Sequence, residues 1–127
     1  MFSGFARLEP FIYSVLRAVA GFLFVFHGLQ KLFGMFGGRE VELMSRLGAA
    51  SVIEIVAGTF IAVGFFTVPA AILSAGEMAF AYYLGHFPRG RWPIENGGEP
   101  AILYCAIFLF VATRGPGPIS IDRLWKR

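Results

Sequence analysis

Residues 11–33 read FIYSVLRAVAGFLFVFHGLQKLF. The run contains no proline and none of the alternation of a barrel strand, which needs only about ten residues. It is long enough for a helix crossing a bilayer core, a task that takes about 20 apolar residues. Pro10 stands before it, a residue suited to a first helical turn. Arg17 interrupts the run and no cleavage site follows, so the segment reads as a retained membrane helix rather than a signal peptide. Within it lie Arg17, His27, Gln30 and Lys31. Ionisable groups in hydrocarbon cost about 2.5–3.5 kcal/mol each at the helix centre, so they are expected to face a bundle interior and to pair.

Three further apolar segments follow, Gly48–Phe66, Val68–Phe87 and Glu99–Thr113. With the first they predict an all-α polytopic membrane protein, a four-transmembrane-helix bundle forming one domain over residues 1–127. The second and third segments are separated only by a tight turn around Thr67, which predicts an antiparallel hairpin. The tail 115–127 opens Gly-Pro-Gly-Pro and then sets Ile119, Ile121, Leu124 and Trp125 among charges, which predicts a segment lying at the membrane interface.

Composition agrees. Of 127 residues 57% are hydrophobic and only 15% charged, too few charges to coat a soluble domain, where about 25% is usual. Mean hydropathy is +0.68. The net charge of +3 gathers at segment ends, which fits an anionic membrane surface and not a nucleic acid. The single cysteine, Cys105, permits no intramolecular disulfide, thiol pair or thiolate metal cluster, and no metal site is expected. No phosphate loop, HExxH or hydrolase motif is present. Four spans put both termini on one side with Arg7, Arg114, Arg123, Lys126 and Arg127, against Arg39, Arg46, Arg89 and Arg91 on the other. The positive-inside rule therefore leans toward cytoplasmic termini.

The intramembrane charges are Arg17, His27, Lys31, Glu54 and Glu77, with His86 and Glu99 at segment ends. A rise of about 1.5 Å per residue puts Arg17 within about 6 Å of Glu77 in depth, and His27 within about 3 Å of Glu54. The expected pairs are Arg17–Glu77 and His27–Glu54, with Lys31 snorkelling to the boundary. Arg17, Gly21, Phe24, Gly28 and Lys31 share one stripe of the first helix, and the glycines admit a close neighbour. One reading is a packing seam with neutralised charges. The other is a polar cavity lined by His27, Gln30, Glu54, Glu77 and His86, able to hold a quinone, relay protons or bind a small polar molecule. Haem held by the two histidines is disfavoured. Asn96 with Glu99 three residues on reads as a capping box opening the fourth helix, with Pro100 in its first turn.

The chain resembles the DoxX family of small bacterial membrane proteins from about Leu8 to Leu124. The pieces are Leu16-Arg17 with Gly21, then Phe26-His27-Gly28-Leu29-Gln30-Lys31-Leu32, and Glu54 with Gly58 and Gly64. Asn96-Gly97-Gly98-Glu99 and Gly115-Pro116-Gly117-Pro118-Ile119-Ser120-Ile121-Asp122 complete them. The resemblance implies a four-helix protein of the cytoplasmic membrane with polar positions at Arg17, His27, Lys31, Glu54, Asn96 and Glu99. It further implies a subunit or accessory of an oxidoreductase or redox-stress complex, with quinone as the open cofactor class and a protein partner or a second copy beside the lipid. A lone cysteine argues against dithiol exchange. A small-molecule or proton-linked transporter and a membrane assembly factor are the alternatives.

Overall fold

The computed structural model describes residues 3–125, which contain helices and no strand. Lys126 and Arg127, two of the cations in the topology count, lie outside the described residues. One turn, α1 (Ser3–Ala6), leads into α2 (Glu9–Phe33), α3 (Arg46–Val63) and α4 (Thr67–Ala81). A π-helical turn (Tyr82–His86) and a 3₁₀ turn (Phe87–Arg89) prolong α4. Then come the short α5 (Pro93–Asn96), the longer α6 (Glu99–Arg114) and a last turn, α7 (Ile121–Trp125).

Each long helix has local reasons for its limits. Pro10 sits in the first turn of α2, where its missing N–H costs nothing, and Gly34 ends the helix in the left-handed region at φ 68°. Ser45 caps α3 by accepting from the Gly48 N–H at 3.0 Å. Gly64, at φ 73°, terminates α3. The turn between α3 and α4 thus occupies Gly64–Phe66, and Thr67 opens the next helix instead of forming the turn.

α2 lies along α3, α4 along α6, and the α3–α4 hairpin joins the two pairs. The α2–α3 seam is made by small residues. A Cβ on Gly21 would lie 2.7 Å from the Gly58 carbonyl oxygen, and one on Gly58 would lie 2.9 Å from the Gly21 oxygen, so the backbones touch there. Arg17, Gly21, Phe24 and Gly28 of the shared stripe are all buried. Across the centre, Phe24 meets Tyr104 and Phe108 of α6 with ring centroids 5.4 and 4.8 Å apart. Ala57, Ile61, Ala71 and Val111 fill the space around them.

The outside is apolar on every long helix, for example at Phe22, Val56, Leu73 and Leu109. Two helices, α2 and α3, are long and apolar enough to cross a membrane. A surface of this kind suits lipid and not water. The molecule is an all-α membrane protein.

The tail is tied to the helix ends by hydrogen bonds. Asp122 accepts the N–H groups of Phe66 and Thr67 at 2.9 Å each, and its own N–H donates to the Gly64 oxygen at 2.8 Å. A carboxylate from the tail therefore caps α4, whose own Phe66 supplies no side-chain cap.

Candidate functional site

Lys31, Glu54 and Glu77 come from α2, α3 and α4 and meet in the half of the molecule away from the termini. Glu54 is fully buried, and its Oε2 accepts from the Lys31 Nζ at 2.7 Å. The His27–Glu54 pair expected from depth is replaced by this one. Lys31 lies one turn further along α2, and its flexible stem turns inward to reach the carboxylate instead of snorkelling outward. His27 is exposed on the flank of α2, edge-on to the Tyr104 ring at 5.5 Å. Glu54 Oε1 and Glu77 Oε1 are buried without a donor among the described residues. The Glu77 carboxyl lies within electrostatic reach of Glu54. Two carboxyl groups can share a hydrogen bond only when one carries a proton.

Glu77 also borders a groove of about 1030 Å³ between α3 and α4. Ala49, Ala50 and Ile53 form one wall, and Ile72, Leu73 and Phe80 the other. Lys31, Glu77, His86, Arg46 and Arg89 are its polar members. Small residues create the space: a Cβ on Gly76 or Gly85 would meet nothing within 4 Å. The groove can take an apolar body of considerable size and present ammonium, imidazole and carboxyl groups to a polar head.

The other predicted residues separate from this cluster. Arg17 does not pair with Glu77. It sits at the opposite end, where its Nε donates to the Ile61 oxygen at 2.9 Å, Nη2 to the Ala62 oxygen at 3.3 Å, and Nη1 to the Pro116 oxygen. Two of these carbonyls belong to the last turn of α3, where the helix leaves acceptors unpaired and negative. Tyr13 completes this anchor by donating to the Gly115 oxygen at 2.5 Å, with the Arg114 guanidinium 4.3 Å from its ring centroid.

Gln30 donates to the Phe36 oxygen at 3.2 Å and holds the loop after α2. Asn96 is buried and fully used: its amide donates to the Tyr82 hydroxyl and the Gly90 oxygen, both at 3.1 Å, and accepts from the Gly98 N–H at 2.8 Å. No capping box forms, because Asn96 ends α5 and Gly98 occupies the N-cap of α6 without a side-chain bond. Glu99 is exposed in the first turn of α6. His86 faces the groove with its Nδ1 3.2 Å from the Asn96 oxygen. Of the nine predicted positions, Lys31, Glu77 and His86 therefore border the groove with Glu54 buried behind Lys31, while the others tie the fold or face outward.

The sequence model of the DoxX family matches residues 12–87, more than half of the chain. The chain belongs to the DoxX family. Two relatives support this over nearly the full length. One is an uncharacterised protein of Haemophilus influenzae, 36% identical over 91% of this chain and 92% of its own length. The other is the inner membrane protein YphA of Escherichia coli, 30% identical over 94% of both. No solved structure matches.

The DoxX polar positions thus divide by role in this chain. Arg17 and the Gly-Pro-Gly-Pro-Ile-Ser-Ile-Asp tail form one structural knot, since Arg17, Ser14 and Tyr13 all bond to that tail. Sequence reasoning missed this knot, and also missed Arg46 and Arg89 beside the groove. Asp122 is a short acidic residue of the kind that caps helices, but the helix it caps opens 55 residues earlier.

Proposed function

We propose that this DoxX protein is a membrane subunit or accessory of an oxidoreductase or redox-stress complex, crossing the cytoplasmic membrane four times, and that its groove holds the head of a quinone-class molecule. The observation that carries the reading is the groove itself, where an apolar cleft of about 1030 Å³ meets Lys31, Glu77 and His86. A quinone head needs a flat apolar slot and hydrogen-bond partners for two ring carbonyls. The Lys31 ammonium, the His86 ring and a protonated carboxyl are donors of that kind. The occupant would supply electron-carrying chemistry; the chain's own residues bind and orient it.

Four crossings are supported by the lipid-suited exterior of all four long helices. α4 and its π-helical turn together run from Thr67 to His86, long enough for a core about 30 Å thick. The shorter α6 carries Glu99 in its first turn and Arg114 in its last, and local bilayer thinning accommodates such a length.

The test is to purify the protein in mild detergent and analyse its organic extract for quinone. Wild-type protein is expected to retain quinone above the level of an unrelated membrane protein. Gly76→Leu places a side chain into the open groove, and the quinone is expected to disappear while thermal stability holds. Equal quinone in wild type, Gly76→Leu and the control overturns the reading.

A further inference from the structure

We infer that Glu54 and Glu77 form a proton-exchange site in the groove wall, in which the two carboxyls hold one proton between them and Glu77 trades it with the groove. The inference goes beyond the proposed function, because it stands whether the groove holds a ring compound or a lipid chain.

Three observations on the molecule lead to it. First, the charges do not balance by side chains alone. One ammonium, Lys31, bonds to Glu54 Oε2 at 2.7 Å and borders the groove together with Glu77, so a single cation serves two carboxyls. Second, Glu54 is fully buried and its Oε1 meets no N–H or O–H among the described residues, and the same holds for Glu77 Oε1. A proton on one carboxyl supplies the missing donor and removes one negative charge from a region of low dielectric. Third, only Glu77 of the two borders the groove, so exchange runs through it.

The surroundings of the pair are mixed in charge. Lys31 and His27 face it from α2 and Tyr104 from α6, while Arg46, His86 and Arg89 stand around the groove. Of these, Lys31 makes the ion pair to a carboxylate oxygen. Toward the termini the way is closed. Phe24, Ile61, Phe108 and Ala71 pack the interior without any exposure, and the Arg17 end is filled by backbone carbonyls.

A hydrophobic carbodiimide is the probe. It adds to a carboxyl in an apolar setting only when that carboxyl brings a proton, and rearrangement leaves a stable N-acylurea. The purified full-length protein in detergent is treated at a series of pH values, and the adduct on each glutamate is measured by peptide mass spectrometry. An adduct on Glu77 that declines as pH rises is the expected result, with exposed Glu40 and Glu42 giving the background. In Glu77→Gln it is lost. In Glu54→Gln, Glu77 becomes the only counter-ion of Lys31 and labelling is expected to fall to background. In Lys31→Met both carboxyls lose their cation, and labelling is expected to persist to more alkaline pH. Glu77 labelling at background in wild type at every pH overturns the inference. So does Glu77 labelling that keeps the wild-type pH profile in Lys31→Met. Should Glu54→Gln fail to elute as a folded species, the wild-type and Lys31→Met profiles decide the matter alone.

Discussion

Arg17 shows how far depth along a helix can mislead. Its axial position predicted a carboxylate partner, Glu77, about one turn away. The structure gives it three carbonyl oxygens instead, two from α3 and one from the tail. Depth could be estimated from the sequence, but the azimuth of Glu77 could not. Nor could the return of a tail nearly a hundred residues on. The same gap explains Lys31, whose reach to Glu54 depends on where α3 crosses α2. The stability consequence of losing Arg17 survives with a new cause. Hydrogen bonds from a charged donor contribute about 1.5–3 kcal/mol each, and here three are lost together. Arg17→Ala is expected to lower unfolding free energy in detergent by on the order of 3 kcal/mol. Arg17→Lys should recover only part, because an ammonium lacks the planar fork that meets diverging acceptors. A cycle with Glu77→Gln separates the two accounts: the carbonyl anchor predicts additive losses, whereas a direct Arg17–Glu77 pair predicts strong coupling.

Elements were the most legible scale. The four apolar runs became the four long helices with ends displaced by a few residues, because hydrophobic length and glycine stops are local properties. The first-helix stripe was legible for the same reason, since a 100° turn per residue puts Arg17, Gly21, Phe24 and Gly28 on one side. The capping of α4 was not local. Phe66 takes a left-handed φ of 47°, uncommon for a residue with a side chain, and its own N–H and that of Thr67 donate to Asp122. Short acidic residues serve this purpose well, but here the cap arrives from the far end of the chain. Asp122→Ala is expected to cost about 0.5–2 kcal/mol of stability, the range for losing a helix cap. It should also loosen the tail, which would raise cleavage by trypsin after Arg123 in the purified protein. Asp122→Asn keeps one side-chain oxygen and should fall between. A tail held chiefly by its apolar residues would show no change in cleavage in either variant.

At the scale of the whole molecule, the two ends differ in construction as well as charge. The terminal end is locked by the Arg17 and Asp122 contacts, while the other end carries the groove and its charge cluster. Orientation in the membrane decides which compartment the groove faces, and the sequence-based count expects the basic residues to divide five against four between the ends. Acidic residues contribute little to this rule, so the Glu9 partner of Arg114 does not alter the count. So narrow a margin makes orientation sensitive to single charges. Wild-type protein with a fluorescent protein fused after Arg127 should fluoresce in the cytoplasm, and the same position fused to a periplasm-dependent phosphatase should be inactive. Replacing both Arg7 and Arg123 by Glu leaves three cations at the terminal end against four at the groove end. Neither is among the anchor contacts described above, so folding should be retained and only orientation should change. The double variant is expected to show phosphatase activity and reduced fluorescence, as a mixed or inverted population would. Uniform cytoplasmic fluorescence in that variant would show that the charge margin does not set the direction. A phosphatase-positive wild type would instead place the groove on the cytoplasmic side.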